Sequence, residues 1–163
     1  LSEVKSNAAR QDREVFPITS LVSDAAIAVS LFANADGKKL TGSTIDPALS
    51  ILGNRGLLVA ALMNLLQNAF KFTQPGTEVK LRTYSLGGQV LIEVADHCGG
   101  LPPGSATKMF TPFAKRRRDN PGLGLGLSIA RQSIEAEAGT LGVRDVPGTG
   151  CVFTISLPRY PWP

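Results

Sequence analysis

Apolar and polar residues repeat along the chain with two periods, one typical of helices and one typical of strands. Residues Ile18 to Asn34 carry apolar side chains at helical spacing and predict an amphipathic helix. A second helix is predicted from Leu57 to about Phe72, with Asn54 as its N-terminal cap. A third is predicted from about Leu123 to Ala138, ended by Gly139. We therefore expect three helices.

Shorter segments are dominated by alternating or β-forming residues and predict strands. In chain order they are Leu40–Asp46, Leu49–Leu52, Glu78–Tyr84, Gln89–Ala95, Leu141–Asp145 and Cys151–Leu157. Gly87-Gly88 and Pro147-Gly148 predict the turns of two antiparallel hairpins. Helices and strands in this order predict an α/β two-layer sandwich, with a mixed, largely antiparallel sheet covered on one face by three helices.

The two ends of the chain differ from this centre. Residues 1–14 are polar and compatible with a helix, and residues 159–163 form a proline-rich tail. Since 163 residues can bury one core but not two ordinary ones, we expect one domain at 15–158. The chain begins at Leu1 rather than Met, and we expect it to be part of a longer protein.

Composition and charge exclude several classes of function. Four of the positive charges behind the net charge of +4 form one run, Lys115, Arg116, Arg117 and Arg118, in a loop rich in proline and glycine. Aromatic residues make up 6% of the chain and are not interleaved with basic ones, so no nucleic-acid partner is expected. No apolar run approaches the roughly 18 residues of a membrane span.

The two cysteines, Cys98 and Cys151, are far apart in sequence and form no CxxC pair. This spacing argues against a structural metal site or a disulfide framework, and it fits a reducing compartment.

The second predicted helix carries a candidate phosphate and metal site. Asn64, Asn68 and Lys71 fall on one stripe, opposite an apolar face. An amide oxygen can bind Mg²⁺, and an ammonium group can bind phosphate. The same stripe could be the ordinary polar face of a surface helix, which spacing alone favours.

Two glycine-containing motifs follow. Asp96 ends a predicted strand and precedes Gly99-Gly100, so its carboxylate is expected at the rim of the core, where it could accept the amine of adenine. An ordinary Asp-Gly turn is the alternative. Gly122, Gly124 and Gly126 precede the third helix and could expose N–H groups to an anion. They match neither a P-loop nor a Rossmann fingerprint, and we treat Asp145, about twenty residues later, as a coincidence.

Taken in order, five segments resemble the conserved boxes of the histidine-kinase branch of the GHKL ATPases, which share the Bergerat fold. The segments are NLLQNAFKFT, DHCGGLP, MFTPF, GLGLGLSIA and GTGCVFTISLP. The resemblance extends over residues 18–158 and is to the catalytic ATP-binding domain of bacterial sensor histidine kinases.

The resemblance implies roles for individual residues. Asn68 would bind Mg²⁺, Asn64 and Lys71 would contact the phosphates or the metal's waters, and Asp96 would bind the adenine amine. The remaining implied ATP-binding residues are Gly100, Leu101, Phe110, Phe113, Gly122, Leu123, Gly124, Leu125, Gly126 and Leu127. Residues 101–121 would form a lid anchored by the two phenylalanines, and one residue of the basic run 115–118 would reach the γ-phosphate, although a solvated loop is an equal alternative for that run.

The resemblance also implies partners that this chain does not contain. The phosphoacceptor histidine would lie on dimerisation helices of the full-length homodimer, and residues 1–14 would be the end of one of them. A response-regulator receiver domain would take the phosphoryl group. His97, the single histidine, is expected to be a spacer in a turn rather than the acceptor. We expect the fragment to be monomeric and the catalytic domain to be cytoplasmic, with an inner-membrane anchor open for the whole protein.

Three hypotheses for function remain. An active kinase domain is favoured because the position of the water-activating glutamate in ATP-hydrolysing relatives holds Asn64, whose amide cannot act as a base. A regulatory nucleotide-binding or scaffolding module without kinase activity is the alternative, because Cys98 stands at the first glycine of the family's Asp-x-Gly-x-Gly box, where a side chain could narrow the adenine pocket. An ATP-hydrolysing switch is disfavoured by Asn64.

Overall fold

A computed structural model describes residues 12–33, 37–42, 45–101, 108–111 and 126–161. The strands of this part of the chain are β1 (Arg13–Pro17), β2 (Lys39–Gly42), β3 (Ser50–Asn54), β4 (Glu78–Leu86), β5 (Gln89–Ala95), β6 (Thr140–Val146) and β7 (Gly150–Pro158). The helices are α1 (Ile18–Ala33), α2 (Arg55–Phe72) and α3 (Gly126–Ala136). None of these helices has the length and apolar character needed to cross a membrane.

Five strands form one sheet in the order β2-β4-β5-β7-β6. β2 runs parallel to β4, and the other neighbouring pairs are antiparallel. β1 and β3 form a separate antiparallel pair. The predicted mixed, largely antiparallel sheet with three helices is confirmed.

One face of the sheet packs against the helices. Alternate side chains of β5 and β7 are buried on this face, namely Val90, Ile92, Val94, Phe153, Ile155 and Leu157. They belong to the same core as Leu62, Leu65 and Leu66 of α2, all fully buried. Burial of each such side chain contributes roughly 1.5–3 kcal/mol. α2 packs against both α1 and α3 and is therefore the central helix of its layer.

The ends of α2 are fixed by local hydrogen bonds. Asn54 Oδ1 accepts the Leu57 N–H at 3.1 Å, which confirms the predicted cap. At the other end Thr73 donates its N–H to the carbonyl of Ala69 at 2.8 Å and has extended backbone angles, so the helix ends at Phe72.

Two local predictions were wrong. Arg13 and Glu14 lie in strand β1 rather than in a helix, because this segment pairs with β3 and buries Phe16. Residues 1–11 lie outside the described residues, so a helix there stays a prediction.

The end of α3 also differs from the prediction. The helix ends at Ala136, and the residue with a left-handed backbone is Ala138, with φ of +64°, rather than Gly139. A Cβ on Gly139 would lie 2.6 Å from Leu157 Cδ2 and 2.7 Å from the carbonyl oxygen of Ser156. Close packing against β7 therefore explains glycine at this position.

Candidate functional site

A buried carboxylate lies directly after β5. Asp96 is 3% exposed, and its Oδ1 accepts the N–H groups of Cys98 and Cys151, each at 3.2 Å. The Cys151 thiol lies 3.4 Å from Oδ2, and the Asp96 N–H donates to the Cys151 carbonyl at 3.0 Å. The predicted position at the rim of the core is confirmed. These bonds fix the orientation of a group that, when ionised, can only accept hydrogen bonds.

The turn after Asp96 depends on two glycines with left-handed backbones. Gly99 has φ of +94° and Gly100 has φ of +104°, and a Cβ on Gly100 would lie 3.2 Å from the backbone nitrogen of Gly148. Gly99 donates its N–H to the carbonyl of Thr149 at 2.8 Å. The turn is therefore held against the turn that joins β6 and β7.

Leu101 is held in place by Asp145, a residue for which the sequence predicts no role. Its N–H donates to Asp145 Oδ1 at 3.0 Å, and Leu101 itself is half-buried. Asp145 lies in β6, next to the β6–β7 turn. Asp145 therefore holds the backbone of Leu101 against β6.

The end of α2 is joined to the end of β5 by side-chain and backbone hydrogen bonds. Thr73 is 2% exposed, and its Oγ1 accepts the His97 N–H at 2.9 Å. Gln74 donates its N–H to the His97 carbonyl at 3.0 Å. The half-buried His97 ring places Nδ1 2.8 Å from the carbonyl oxygen of Glu78. These bonds set α2 at a fixed position relative to Asp96.

The predicted polar stripe of α2 is present. Asn64 and Asn68 are half-buried and Lys71 is exposed, whereas Leu58, Leu62, Leu65 and Ala69 are buried. The Lys71 ammonium lies 6.0 Å from the centroid of the Phe72 ring. Two amides that are partly accessible and one exposed ammonium are suited to bind a phosphate-bound cation and phosphate oxygens.

The first residue of α3 lies beside this stripe. A Cβ on Gly126 would lie 3.9 Å from Asn64 Oδ1, and the next two residues, Leu127 and Ser128, are buried. The N-terminus of a helix carries a partial positive charge and unpaired N–H groups. α2 and α3 therefore bring amide oxygens and a helix N-terminus together.

Phe110 packs at the edge of the core. Its ring meets that of Phe153 edge-to-face, with centroids 6.3 Å apart and an interplanar angle of 80°. The guanidinium of Arg131, a residue of α3, lies 5.0 Å from the centroid of the Phe110 ring. Phe110 is thus held between β7 and α3.

Several predicted site residues lie outside the described residues. They are Phe113, the basic run Lys115, Arg116, Arg117 and Arg118, and the glycine-rich residues Gly122, Leu123, Gly124 and Leu125. Their assigned roles, and those of the described site residues, stay predictions.

Sequence reasoning missed three contributors: Thr73, Asp145 and Cys151. Cys151 is the least accessible to such reasoning, because its contact with Asp96 depends on the pairing of β5 with β7. A signal was present in the glycine before it. A Cβ on Gly150 would lie 2.9 Å from Asp96 Oδ1 and 2.7 Å from the Asp96 carbonyl carbon, so glycine is required there.

Residues 53–161, which contain all of these groups, match the family described as histidine kinase-, DNA gyrase B- and HSP90-like ATPases. The chain belongs to this family. Within the family it is a catalytic ATP-binding domain of the sensor histidine kinase type, in the GHKL superfamily.

Individual relatives support the same assignment. The sensor-like histidine kinase SenX3 of Mycolicibacterium smegmatis is 32% identical over 168 residues, which cover 100% of this chain and 43% of that protein. The sensor protein KdpD of Escherichia coli is 33% identical over 120 residues, which cover 72% of this chain and 13% of KdpD. The chain thus spans less than half the length of these histidine-kinase relatives.

Solved structures agree in fold. The mycobacterial sensor histidine kinase MprB has a TM-score of 0.78 and 27% identity, and the match covers 90% of this chain and 97% of the solved chain. ShkA, solved at full length in complex with AMPPNP, has a TM-score of 0.77 and 30% identity, and the match covers 90% of this chain and 31% of ShkA.

Proposed function

We propose that this domain binds Mg·ATP between α2 and α3 and transfers the γ-phosphoryl group to a histidine on dimerisation helices of its parent protein. A response-regulator receiver domain would then take the phosphoryl group. The proposal is supported by family membership, by the buried carboxylate of Asp96, which can accept a hydrogen bond from adenine, and by the complex of the related ShkA with an ATP analogue.

The buried, hydrogen-bonded carboxylate of Asp96 is the main support for recognition of the adenine base. Two backbone N–H groups hold its Oδ1, so the carboxylate has a fixed direction. A carboxylate accepts a hydrogen bond from the exocyclic amine of adenine, and it repels the oxygen that guanine has at that position. Gly100, with no side chain, would let the base lie against the backbone.

The residues of α2 and α3 fit the triphosphate and its cation. Asn68 offers an amide oxygen to Mg²⁺, and Asn64 and Lys71 lie on the same stripe of the helix. The N-terminus of α3, beside Asn64, would stabilise phosphate charge. Magnesium, when bound, would neutralise charge on the transferred group and the leaving phosphates. The protein's contribution is therefore positioning and electrostatic stabilisation.

The acceptor histidine would come from another segment. His97 is the single histidine of the chain, and its ring and backbone already contact Glu78, Thr73 and Gln74. Asn64 occupies the position at which ATP-hydrolysing relatives have a water-activating glutamate. Hydrolysis of the γ-phosphate by water would therefore be slow. Transfer to a separate imidazole is the reaction that this arrangement supports best.

Calorimetric titration with a non-hydrolysable ATP analogue tests the nucleotide site. We expect one site per chain, tighter binding with Mg²⁺ than without it, and selectivity for the adenine over the guanine nucleotide. Asp96→Asn should weaken binding at least about tenfold, because an amide keeps the accepting oxygen but places an NH₂ group against the adenine amine.

Asp46→Asn is the matched control. Asp46 Oδ1 accepts the N–H of the residue two positions later, at 2.9 Å from Ala48, just as Asp96 Oδ1 does with Cys98, but Asp46 is exposed. The control should bind as tightly as the unmodified chain. Equal affinity of both variants, or the absence of binding at millimolar nucleotide, would contradict the proposal. Absence of binding would favour the scaffolding alternative, with the pocket narrowed by Cys98.

A further inference from the structure

Two thiols and the carboxylate of Asp96 form one buried cluster. The ligand atoms of Asp96, Cys98 and Cys151 all lie within 4.8 Å of one another, and the three residues are 3%, 5% and 1% exposed. Among the described residues this is a group of three potential metal ligands that lies wholly in the interior. The sequence argues against such a site, because the two cysteines are 53 positions apart and form no CxxC pair, but the pairing of β5 with β7 brings them together.

The chemistry of the cluster favours one class of ion. Thiolate sulfur is a soft ligand that selects Zn²⁺ and similar thiophilic ions, whereas Mg²⁺ prefers oxygen ligands and water. Two thiolates and one carboxylate give three protein ligands, which leaves one position of tetrahedral zinc for water. The set therefore differs from the amide oxygens of α2 in the ion that it would bind.

The distances are close to those of a zinc site. Zn–S bonds of about 2.3 Å in a tetrahedral arrangement place two sulfurs roughly 3.8 Å apart. The atoms of the cluster therefore need to approach by at most about 1 Å. Cys151 lies in β7, whereas Cys98 begins a turn that contains Gly99 and Gly100, and its thiol lies 3.7 Å from the Gly100 carbonyl oxygen. Rotation of the Cys98 side chain can supply the movement.

We propose that Asp96, Cys98 and Cys151 bind a thiophilic divalent ion, physiologically Zn²⁺, and that the bound ion inhibits nucleotide binding. A carboxylate bound to zinc no longer accepts the adenine amine, so zinc and nucleotide exclude each other. This consequence rests on the function proposed above, whereas the metal site itself does not.

Cobalt(II) is the probe for the site, because thiolate-bound cobalt has a charge-transfer absorption that zinc lacks. Co²⁺ is titrated into the reduced, nucleotide-free chain, and Zn²⁺ is then added to displace it. Both cysteines of the chain belong to the cluster, so any thiolate signal comes from this site. We expect one cobalt per chain, with the charge-transfer band bleached by one equivalent of zinc.

Variants assign the ligands. Cys98→Ser and Cys151→Ser should each lose at least half of the charge-transfer intensity and bind cobalt at least tenfold more weakly. His97→Gln replaces the single histidine, the nearest alternative ligand in sequence, and should keep the full signal. No thiolate band in the unmodified chain, an unchanged band in Cys98→Ser, or loss of the band in His97→Gln would overturn the proposed ligand set.

A second measurement tests the inhibition. Affinity for the ATP analogue is compared with and without one equivalent of Zn²⁺ in the unmodified chain and in Cys98→Ser. Zinc should weaken binding at least tenfold in the unmodified chain and leave the variant at its own zinc-free value, which also controls for zinc bound by the nucleotide. The proposed inhibition would be overturned if zinc weakened nucleotide binding equally in the unmodified chain and in Cys98→Ser. It would also be overturned if nucleotide affinity stayed the same at a zinc concentration that displaces the bound cobalt. If the chain binds no nucleotide at all, the proposed function fails while the cobalt spectrum still tests the metal site.

Discussion

Gly150 packs directly against Asp96, with the position of an added Cβ 2.7 Å from the Asp96 carbonyl carbon and 2.9 Å from Oδ1. The collision is with backbone as well as with the carboxylate, so no side-chain rotation can relieve it. Gly150→Ala should therefore lower the free energy of unfolding by about 3 kcal/mol or more. Gly142→Ala is the control, because no atom of the described residues lies within 4 Å of a Cβ added to this glycine of β6. The control should keep the stability of the unmodified chain or raise it by up to about 1 kcal/mol. Urea denaturation compares the two, and equal midpoints would contradict the packing argument.

Two buried threonines differ in the partners of their hydroxyl groups. Thr73 Oγ1 accepts the His97 N–H and pairs with Thr77 Oγ1 at 2.7 Å, whereas Thr83 Oγ1 has no hydrogen-bond partner among the described residues. Thr73→Val should cost about 1–3 kcal/mol, since it leaves a backbone N–H unpaired. Thr83→Val should be neutral or stabilising, since it removes an unpaired polar atom. Thermal unfolding of the two variants measures the difference. A larger loss in Thr83→Val would reject this ranking.

Ionisation of the Tyr84 hydroxyl is expected to lower the stability of the fold in alkaline solution. Its hydroxyl donates to Glu93 Oε2 at 2.8 Å, and this hydrogen bond is the main reason that its pKa lies above the usual value of about 10, with burial and the Glu93 charge acting in the same direction. The guanidinium groups of Arg82 and Arg144 oppose the shift.

Since the folded pKa is raised, the contribution of Tyr84 to stability is fully present below the unfolded pKa and is lost as the pH rises through the folded pKa. Unfolding free energies from pH 8 to the alkaline limit should fall more steeply in the unmodified chain than in Tyr84→Phe. The ultraviolet absorbance of tyrosinate, measured as the difference between these two chains, should show late ionisation of Tyr84. Parallel stability curves would show that the hydrogen bond does not favour the protonated form.

Asn64 predicts slow hydrolysis of ATP by the isolated domain. An amide cannot take a proton from water near neutral pH, whereas a carboxylate can. Asn64→Glu should therefore raise the rate of phosphate release at least about tenfold, and Asn64→Gln, which has the same length without the charge, should not. Phosphate release under saturating Mg·ATP provides the test. Brisk release by the unmodified chain that disappears in Asn68→Ala would contradict the assignment of Asn64.

The sequence predicted the elements better than their pairing. Apolar spacing identified α1 and α2 to within two residues, and the cap at Asn54 was confirmed because capping depends on residues three positions apart. Strand β1 was missed because Arg13–Pro17 gains its partner only through β3, almost forty positions away.

The same limit applies to the candidate site. Burial of Asp96 was predicted from the alternation in β5, a local pattern. The contacts of Asp96 with Cys151, and of Leu101 with Asp145, depend on the placement of β6 and β7 in the sheet, which no local pattern records. Chemistry at this site was therefore predictable where one segment supplies it and unpredictable where two segments meet.

The position of β7 has a consequence for biosynthesis. This strand is the last of the described strands in chain order, yet it lies inside the sheet between β5 and β6, and its Cys151 N–H donates to a carboxylate 55 residues earlier. Closing so long a segment costs conformational entropy before any contact repays it. While β7 is still inside the ribosome, Asp96 therefore lacks its contacts with Cys151. The proposed nucleotide can recognise only the finished domain, and through mass action it would then hold the last strand in place.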